Sequence, residues 1–269
     1  MYGIYKQIIM LDNISRFFLN FSHDTIIIPL IIIGYICIDR KVFFHGICLL
    51  LTSMLLNLSL KITFQVPLAP SLGKEGFAFP SGHMQSSIVL YGWLFKSLNK
   101  LIIKVMITIL LIGISAGLVH LGYHNYFDVF GAIFVGLLLI FIYSWFLKNF
   151  KESILFLILL LFSTLLMAYI GLLYGIKEYS WLAYYSLIGV ISSEYCFKNK
   201  KSSISNNIKV IATIFCLSVF LLVNQIFLLL KTDSLFLSQL KWLFIGFCIP
   251  FSLHFLSLIK PKSYHIQGG

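Results

Sequence analysis

The chain is poor in charged residues. Only 11% of its 269 residues are charged and 59% are hydrophobic, whereas about 25% of the residues of a soluble domain are charged. So little charge cannot cover a globular surface, and we predict an integral membrane protein. The formal net charge of +11 does not indicate a nucleic-acid partner, because the lysines fall in short clusters between apolar runs and form no basic stripe with interleaved aromatic residues.

Several other features are also missing. The five cysteines all lie in or beside apolar segments, which excludes an extramembrane disulfide framework and makes them small core residues. Residues 1–22 lack a basic start followed by an apolar core and a small-residue cleavage site, so we expect no cleavable signal. No cluster with metal-ligand spacing is visible, and we predict neither a metal nor another cofactor.

Long apolar runs fill most of the sequence. A membrane helix needs about 17–25 apolar residues, and nine segments qualify, some of them short: 24–39, 43–63, 81–98, 101–121, 124–147, 153–175, 180–197, 208–230 and 240–259. Residues 1–22 mix charged and apolar residues at helical spacing, which favours an interfacial helix over a weak tenth span. The predicted fold class is all-α, a polytopic membrane helix bundle of about nine transmembrane helices with an N-terminal interfacial helix.

The distribution of lysine and arginine predicts the orientation of these spans. Alternate connections carry 13 of the basic residues and the opposite set carries 7, and the richer set is expected in the cytoplasm. The polar stretch GKEGFAFPSGHMQSS (73–87) and the later stretch HNYFD (124–128) then both meet the outer face. Two polar clusters about 40 residues apart in sequence are thus predicted at one membrane surface.

The first cluster contains Pro-Ser-Gly-His at the expected start of a span. Pro80 suits the first turn of a helix and Ser81 suits its cap, because the open N–H groups there need acceptors. Gly82 leaves the N–H groups and the positive end of the helix dipole open to an anion, with His83 on the same turn. A capped membrane helix with an isolated histidine is the alternative.

The second cluster pairs His124 with Asp128, four residues apart and so on one face of a helix. The carboxylate can hold one ring N–H of the imidazole, which leaves a lone pair on the other nitrogen, as a nucleophile or general base requires. An ion pair at the membrane interface is the alternative. Together, the two clusters and Lys61 at the outer end of the preceding helix have the residue types needed for phosphoryl transfer.

In these motifs the sequence resembles the type 2 phosphatidic acid phosphatase superfamily of membrane lipid phosphatases and phosphotransferases, over roughly residues 10–147. The family carries K-x6-R-P, P-S-G-H and S-R-x5-H-x3-D. The second motif is intact at 80–83, the third ends in His124 and Asp128, and Lys61 occupies the lysine of the first. The resemblance implies a catalytic helix bundle over 1–150, followed by additional transmembrane helices over 151–269.

The resemblance also implies roles for these residues. His124 would attack phosphorus and form a phosphohistidine, oriented by Asp128, and His83 would protonate the leaving alkoxide. Lys61 and the amides of 81–83, with Ser81 and Gly82 among the phosphate-binding residues, would hold the phosphate oxygens. No metal is required.

The sequence departs from the family at both motif arginines. Their positions hold Leu68 and Leu118, and the chain contains only Arg16 and Arg40. Because arginine binds phosphate in a planar, bidentate manner that lysine does not reproduce, the site is expected to lack part of its clamp. The other basic residues expected at the outer face, which could substitute in part, are Lys74 and His120.

These residues are consistent with two functions of the protein. The first is a metal-independent lipid phosphatase or phosphotransferase that acts on a phosphorylated lipid at the outer face of a bacterial plasma (inner) membrane. The second is a catalytically degenerate relative that binds or moves an anionic lipid, with Glu194, Asn224 and His254 as candidates for a polar path. Retention of both histidines together with the lysine and the aspartate favours the enzyme.

Overall fold

The computed structural model describes residues 2–197, 205–230 and 234–259, and these ranges are 86% helical without a strand. The bounds of the helices are α1 Tyr2–Asn20, α2 Asp24–Ile33, α3 Arg40–Phe64, α4 Gly82–Ser97, α5 Leu101–His120, α6 Tyr126–Asn149, α7 Glu152–Leu173, α8 Glu178–Phe197, α9 Asn206–Leu230 and α10 Leu235–Ile259. A π-helical turn, Gly34–Ile38, continues α2, and a 3-10 turn, Pro70–Leu72, lies between α3 and α4. The all-α prediction is confirmed.

The number of membrane spans differs from the prediction of nine. Six described helices (α3, α5, α6, α7, α9 and α10) are long and apolar enough to cross a membrane, or seven spans if the bent pair α1 and α2 counts as one. Of the other predicted spans, α4 has only 16 residues, and α8 is interrupted by serines, tyrosines and two glutamates. The chain is a multi-pass membrane protein, with fewer fully apolar helices than the sequence indicated.

The N-terminal segment packs against the bundle. Helix α1 lies along α5, and the two are joined at the middle of α1 and the end of α5, where His120 Nε2 lies 2.9 Å from Asp12 Oδ1. The bend between α1 and α2 is 43°. The N-terminal helix, which was predicted to lie on the membrane at its interface, is thus packed on α5. Together with α2 it has the length and composition of one broken span.

Helix α3 is the centre of the bundle. Of the 18 most apolar consecutive residues of α3, 67% are buried, compared with 6% for the corresponding residues of α9 at the periphery. Helices α4, α7 and α8 all pack against α3. The central position of α3 matters for function because its outer end carries Lys61.

The C-terminal helices are attached to this bundle by α8. Helices α8 and α10 approach so closely that a Cβ on Gly189 would lie 2.2 Å from the carbonyl oxygen of Leu243, so only glycine fits there. On the other side, Glu194 of α8 accepts hydrogen bonds from Arg40 (2.9 Å) and from the hydroxyl of Tyr35 (2.7 Å). Within the described residues, α8 thus connects α10 to the first 150 residues of the chain.

The polar residues suggested for a path through the C-terminal helices have local partners. Glu194 belongs to the ion pair with Arg40. Asn224 donates to the carbonyl of Phe220 in the preceding turn (2.9 Å), and the ring of His254 stacks on Phe197 with centroids 4.3 Å apart. The contacts of Glu194 and His254 join helices, and Asn224 bonds within its own helix. Six of the basic residues used to predict orientation lie outside the described residues: Lys198, Lys200, Lys201, Lys231, Lys260 and Lys262.

Candidate active site

The starts of helices α4 and α6 are joined directly. The N–H of Ser81 donates to the carbonyl of Asp128 (3.1 Å), and Ser81 Oγ caps α4 by accepting from the N–H of Met84 (3.5 Å). Because Ser81 is fully buried, this contact is sheltered from water. It brings the two clusters predicted at the outer face together.

A buried amide network positions the Pro-Ser-Gly-His turn on α3. Asn57 donates to the carbonyl of Pro80 (3.1 Å) and to the side-chain oxygen of Gln85 (2.9 Å). Gln85 in turn donates to the carbonyl and the hydroxyl of Ser53 at 3.1 and 3.0 Å. A satisfied buried network fixes geometry more tightly than apolar contact does. This network was not predicted from the sequence. The isolated Asn57 in an apolar run was the available signal that a buried polar contact lies there.

His124 and Asp128 form the predicted pair. His124 Nδ1 lies 3.3 Å from Asp128 Oδ2, and both side chains are buried, with 8% and 3% exposed. The same carboxylate oxygen accepts the N–H of Asn125 (3.1 Å), whose side chain accepts the N–H of Asp128 (2.9 Å). This capping box fixes the carboxylate, and the carboxylate orients the ring of His124.

Burial is the main cause that lowers the pKa of His124 below its ordinary value, and the neighbouring Lys61 ammonium acts in the same direction. The hydrogen bond to Asp128 and its charge oppose this shift only in part. Neutral imidazole is therefore favoured near neutral pH, and neutral imidazole is the form that can act as a nucleophile.

These elements surround a pocket of about 360 Å³. Its lining includes residues from each predicted component: Lys61 from α3, Gly82 and His83 from α4, and His124 before α6. The lysine lies in the last turn of α3, and its Nζ donates to the carbonyl of Phe77 (2.7 Å). That contact uses one of three N–H donors and holds the cation beside the pocket.

The start of α4 supplies further donors. Within the described chain, the N–H groups of Gly82 and His83 have no acceptor in the protein, as expected for the first residues of a helix. Open N–H groups and the positive end of the helix dipole form an anion site. The pocket therefore combines a cation and two open backbone donors with the imidazoles of His83 and His124.

Three predicted phosphate ligands do not line this pocket. Ser81 is buried beneath it, with its N–H already used by Asp128. Lys74 is exposed in the loop after the 3-10 turn, and His120 is paired with Asp12 of α1. We therefore assign the proposed phosphate contacts to Lys61 and the start of α4.

Other residues line the pocket without having been predicted. His23 and Asp24 come from the start of α2, and Tyr179 comes from the start of α8. The ring of His23 meets that of His83 edge to face, with centroids 5.1 Å apart. The Ser-His-Asp-Thr sequence before an apolar run was the available signal for the first two, and nothing local marked Tyr179.

The two positions of the missing arginines differ in the structure. Leu68 lines the pocket, whereas Leu118 is 2% exposed in the hydrophobic core. An arginine at 118 could therefore not contribute to a clamp, because it would place an unpaired charge in an apolar core.

Leu68→Arg should increase the rate of phosphate release. A guanidinium at this position lies beside the pocket and adds charge-assisted hydrogen bonds of about 1.5–3 kcal/mol each, which corresponds to an increase on the order of tenfold. The measurement is kcat/KM for a lipid phosphate. Leu68→Gln is the matched control without charge, and an equal gain in the control would contradict the clamp.

Part of the chain matches a known protein family. Residues 42–152 match the model of the PAP2 superfamily, a stretch that contains Lys61, His83, His124 and Asp128. Over this segment the chain is similar to the type 2 phosphatidic acid phosphatase superfamily. Helices α8 to α10 lie outside the match.

The chain is also similar to an individual bacterial phosphatase. The chain is 27% identical over 164 residues to phosphatidylglycerophosphatase B of Bacillus subtilis (strain 168), an alignment that covers 54% of this chain and 77% of the relative. No solved structure matches the chain significantly.

Proposed function

We propose that this protein is a metal-independent membrane lipid phosphatase that works through a phosphohistidine. The observation that carries the proposal is the single pocket shared by Lys61, His83 and His124, in which Asp128 holds the ring of His124. The similarity to a phosphatidylglycerophosphatase supports a phosphate monoester on a lipid headgroup as the substrate class.

In the first step, the neutral ring of His124 attacks phosphorus through Nε2, because Nδ1–H donates to Asp128. The bond from phosphorus to the headgroup oxygen breaks, and His83 transfers a proton to the leaving alkoxide. Burial lowers the pKa of His83, so this proton is held by the negative charge of the bound phosphate beside the ring. Lys61 and the open N–H groups of Gly82 and His83 bind the phosphate oxygens as negative charge develops.

In the second step, water attacks the phosphohistidine while His83, now neutral, accepts its proton. Inorganic phosphate leaves and His124 returns to its starting form. If a lipid or sugar hydroxyl replaces water, the same two steps make the protein a phosphotransferase. We place the site at the outer face of the plasma membrane, following the distribution of basic residues.

The test uses the full chain in lipid nanodiscs with radiolabelled phosphatidate, phosphatidylglycerophosphate and polyprenyl phosphate. We expect release of inorganic phosphate, and on rapid quenching an acid-labile, base-stable phosphoryl group on His124. Binding of these lipids without phosphate release or labelling would contradict the enzyme and favour the non-catalytic relative.

The pH dependence of His124 provides a further prediction. Because burial and Lys61 lower its pKa, the neutral ring should persist below pH 6.5, about the value for an unperturbed histidine. The measurement is carbethoxylation of His124 against pH, followed by mass spectrometry, with N-acetylhistidine in the same tube as the reference. A midpoint for His124 above that of the reference would contradict the assigned environment.

A further inference from the structure

A second, apolar cavity lies beside the active-site pocket. It has a volume of about 90 Å³ and shares four lining residues with the pocket: Asp24, Ile27, Leu50 and Met54. The two spaces are therefore neighbours along α2 and α3, and the polar headgroup site continues into an apolar one.

The cavity runs inward from the level of the pocket. Its lining covers two turns on each of three helices, from Met54 back to Ile47 on α3, from Leu182 to Val190 on α8, and from Trp242 to Ile249 on α10. At about 1.5 Å per residue, each range corresponds to a depth of about 10–12 Å. Helices α8 and α10 run parallel to each other and opposite to α3, and on all three the lining begins at the end nearer the pocket.

The cavity offers few polar groups. They are Asp24 at its mouth, the hydroxyl of Ser186, which already donates to the carbonyl of Trp242 (3.2 Å), and the indole N–H of Trp242, which is buried without a hydrogen-bond partner in the described residues. The rest of the lining is apolar. A narrow apolar space of this depth suits one hydrocarbon chain.

We infer that this cavity holds the outer part of an acyl chain of the lipid phosphate whose headgroup occupies the pocket. The inference depends on the proposed function for the identity of the headgroup. It assigns a role to helices α8, α9 and α10, which lie outside the matched segment and line the cavity opposite α2 and α3. These helices then select the lipid by its chain.

The selection must come from shape. A lipid chain that enters the cavity leaves a bilayer that is equally apolar, so transfer itself provides little driving force and close packing decides. A narrow cavity should therefore accept a straight chain and discriminate against a branched one. Differences of about one order of magnitude are typical of apolar pockets.

The first test fills the cavity with Leu182→Trp. We expect kcat/KM for dihexadecanoyl phosphatidate to fall about tenfold, while that for dibutanoyl phosphatidate stays within about twofold because a short chain barely enters. The matched control is Leu165→Trp, at a position of α7 that is 68% exposed on the surface of the bundle. Equal losses on both substrates, or no loss on either, would overturn the inference.

The second test enlarges the cavity with Phe220→Ala, with Phe141→Ala on α6, 68% exposed, as the control. We expect the preference for straight dihexadecanoyl over branched diphytanoyl phosphatidate to decrease only in Phe220→Ala. An unchanged preference in this variant would contradict the assigned occupant.

A third readout does not depend on catalysis. A phosphatidate with a diazirine near the middle of one acyl chain should crosslink to α8 or α10 of the wild-type protein, and Leu182→Trp should reduce that labelling. Absence of phosphate release with crosslinking intact would refute the proposed function alone. Crosslinking confined to surface positions would refute the cavity assignment.

Discussion

His124→Ala is expected to abolish phosphate release, with a loss on the order of 10³-fold or more, because removal of a covalent nucleophile leaves only binding and electrostatic stabilisation. No other described group of the pocket takes the same position: His23 precedes α2, His83 lies on α4, and Asp128 is buried and hydrogen-bonded to the ring of His124. The measurement is single-turnover phosphate release together with acid-labile labelling. Both signals should disappear.

The matched control is His120→Ala. His120 lies near the same end of the bundle but is paired with Asp12 and does not line the pocket. We expect its rate to remain within about twofold of wild type, as for a surface change away from the site. If His124→Ala kept its phosphoenzyme signal, the assignment of the nucleophile would be wrong.

Lys61→Ala is expected to have the second largest effect, a loss of kcat/KM of roughly 10²-fold or more. Lys61 is the lysine that lines the pocket, and loss of one or two charge-assisted hydrogen bonds costs about 1.5–3 kcal/mol each. Because Leu68 and Leu118 donate nothing, this cation carries a larger share of the phosphate charge than in a relative with both arginines. The loss should approach that of His124→Ala.

Two comparisons make this prediction specific. Lys74→Ala removes a lysine from an exposed loop and should cause a much smaller loss. Leu68→Arg in the Lys61→Ala background should recover part of the rate, since a guanidinium would then supply the missing charge. A wild-type rate in Lys61→Ala would show that this cation has no role in the clamp, whatever His124 does.

The residues that sequence analysis identified well are those whose relation is local. His124 and Asp128 are one helical turn apart, so their contact follows from the 3.6-residue period together with the cap at Asn125. The Pro-Ser-Gly-His turn likewise predicted the start of α4, which begins at Gly82. Helices α3, α5, α6, α7, α9 and α10 followed from the length of apolar runs.

Ser81 shows where local reasoning fails. Its position at a helix start predicted an open amide for phosphate, but the chain folds so that this N–H reaches the carbonyl of Asp128. The partner is 47 positions further along the sequence, and no local pattern indicates which groups two helix ends will share. The open donors are those of the next two residues.

The sequence by itself determined that this is an all-helical membrane protein with a histidine–aspartate pair and a helix that starts at the Pro-Ser-Gly-His turn, because length, hydropathy and one-turn spacing are local properties. Only the tertiary structure decided which way each helix is rotated. The rotation of α5 turns Leu118 into the core, and the loop after α3 places Leu68 in the pocket, although both occupy positions of missing arginines. The tertiary structure also brings Asn57 to Pro80 and the C-terminal helices to the apolar cavity, since such contacts depend on packing between segments distant in sequence.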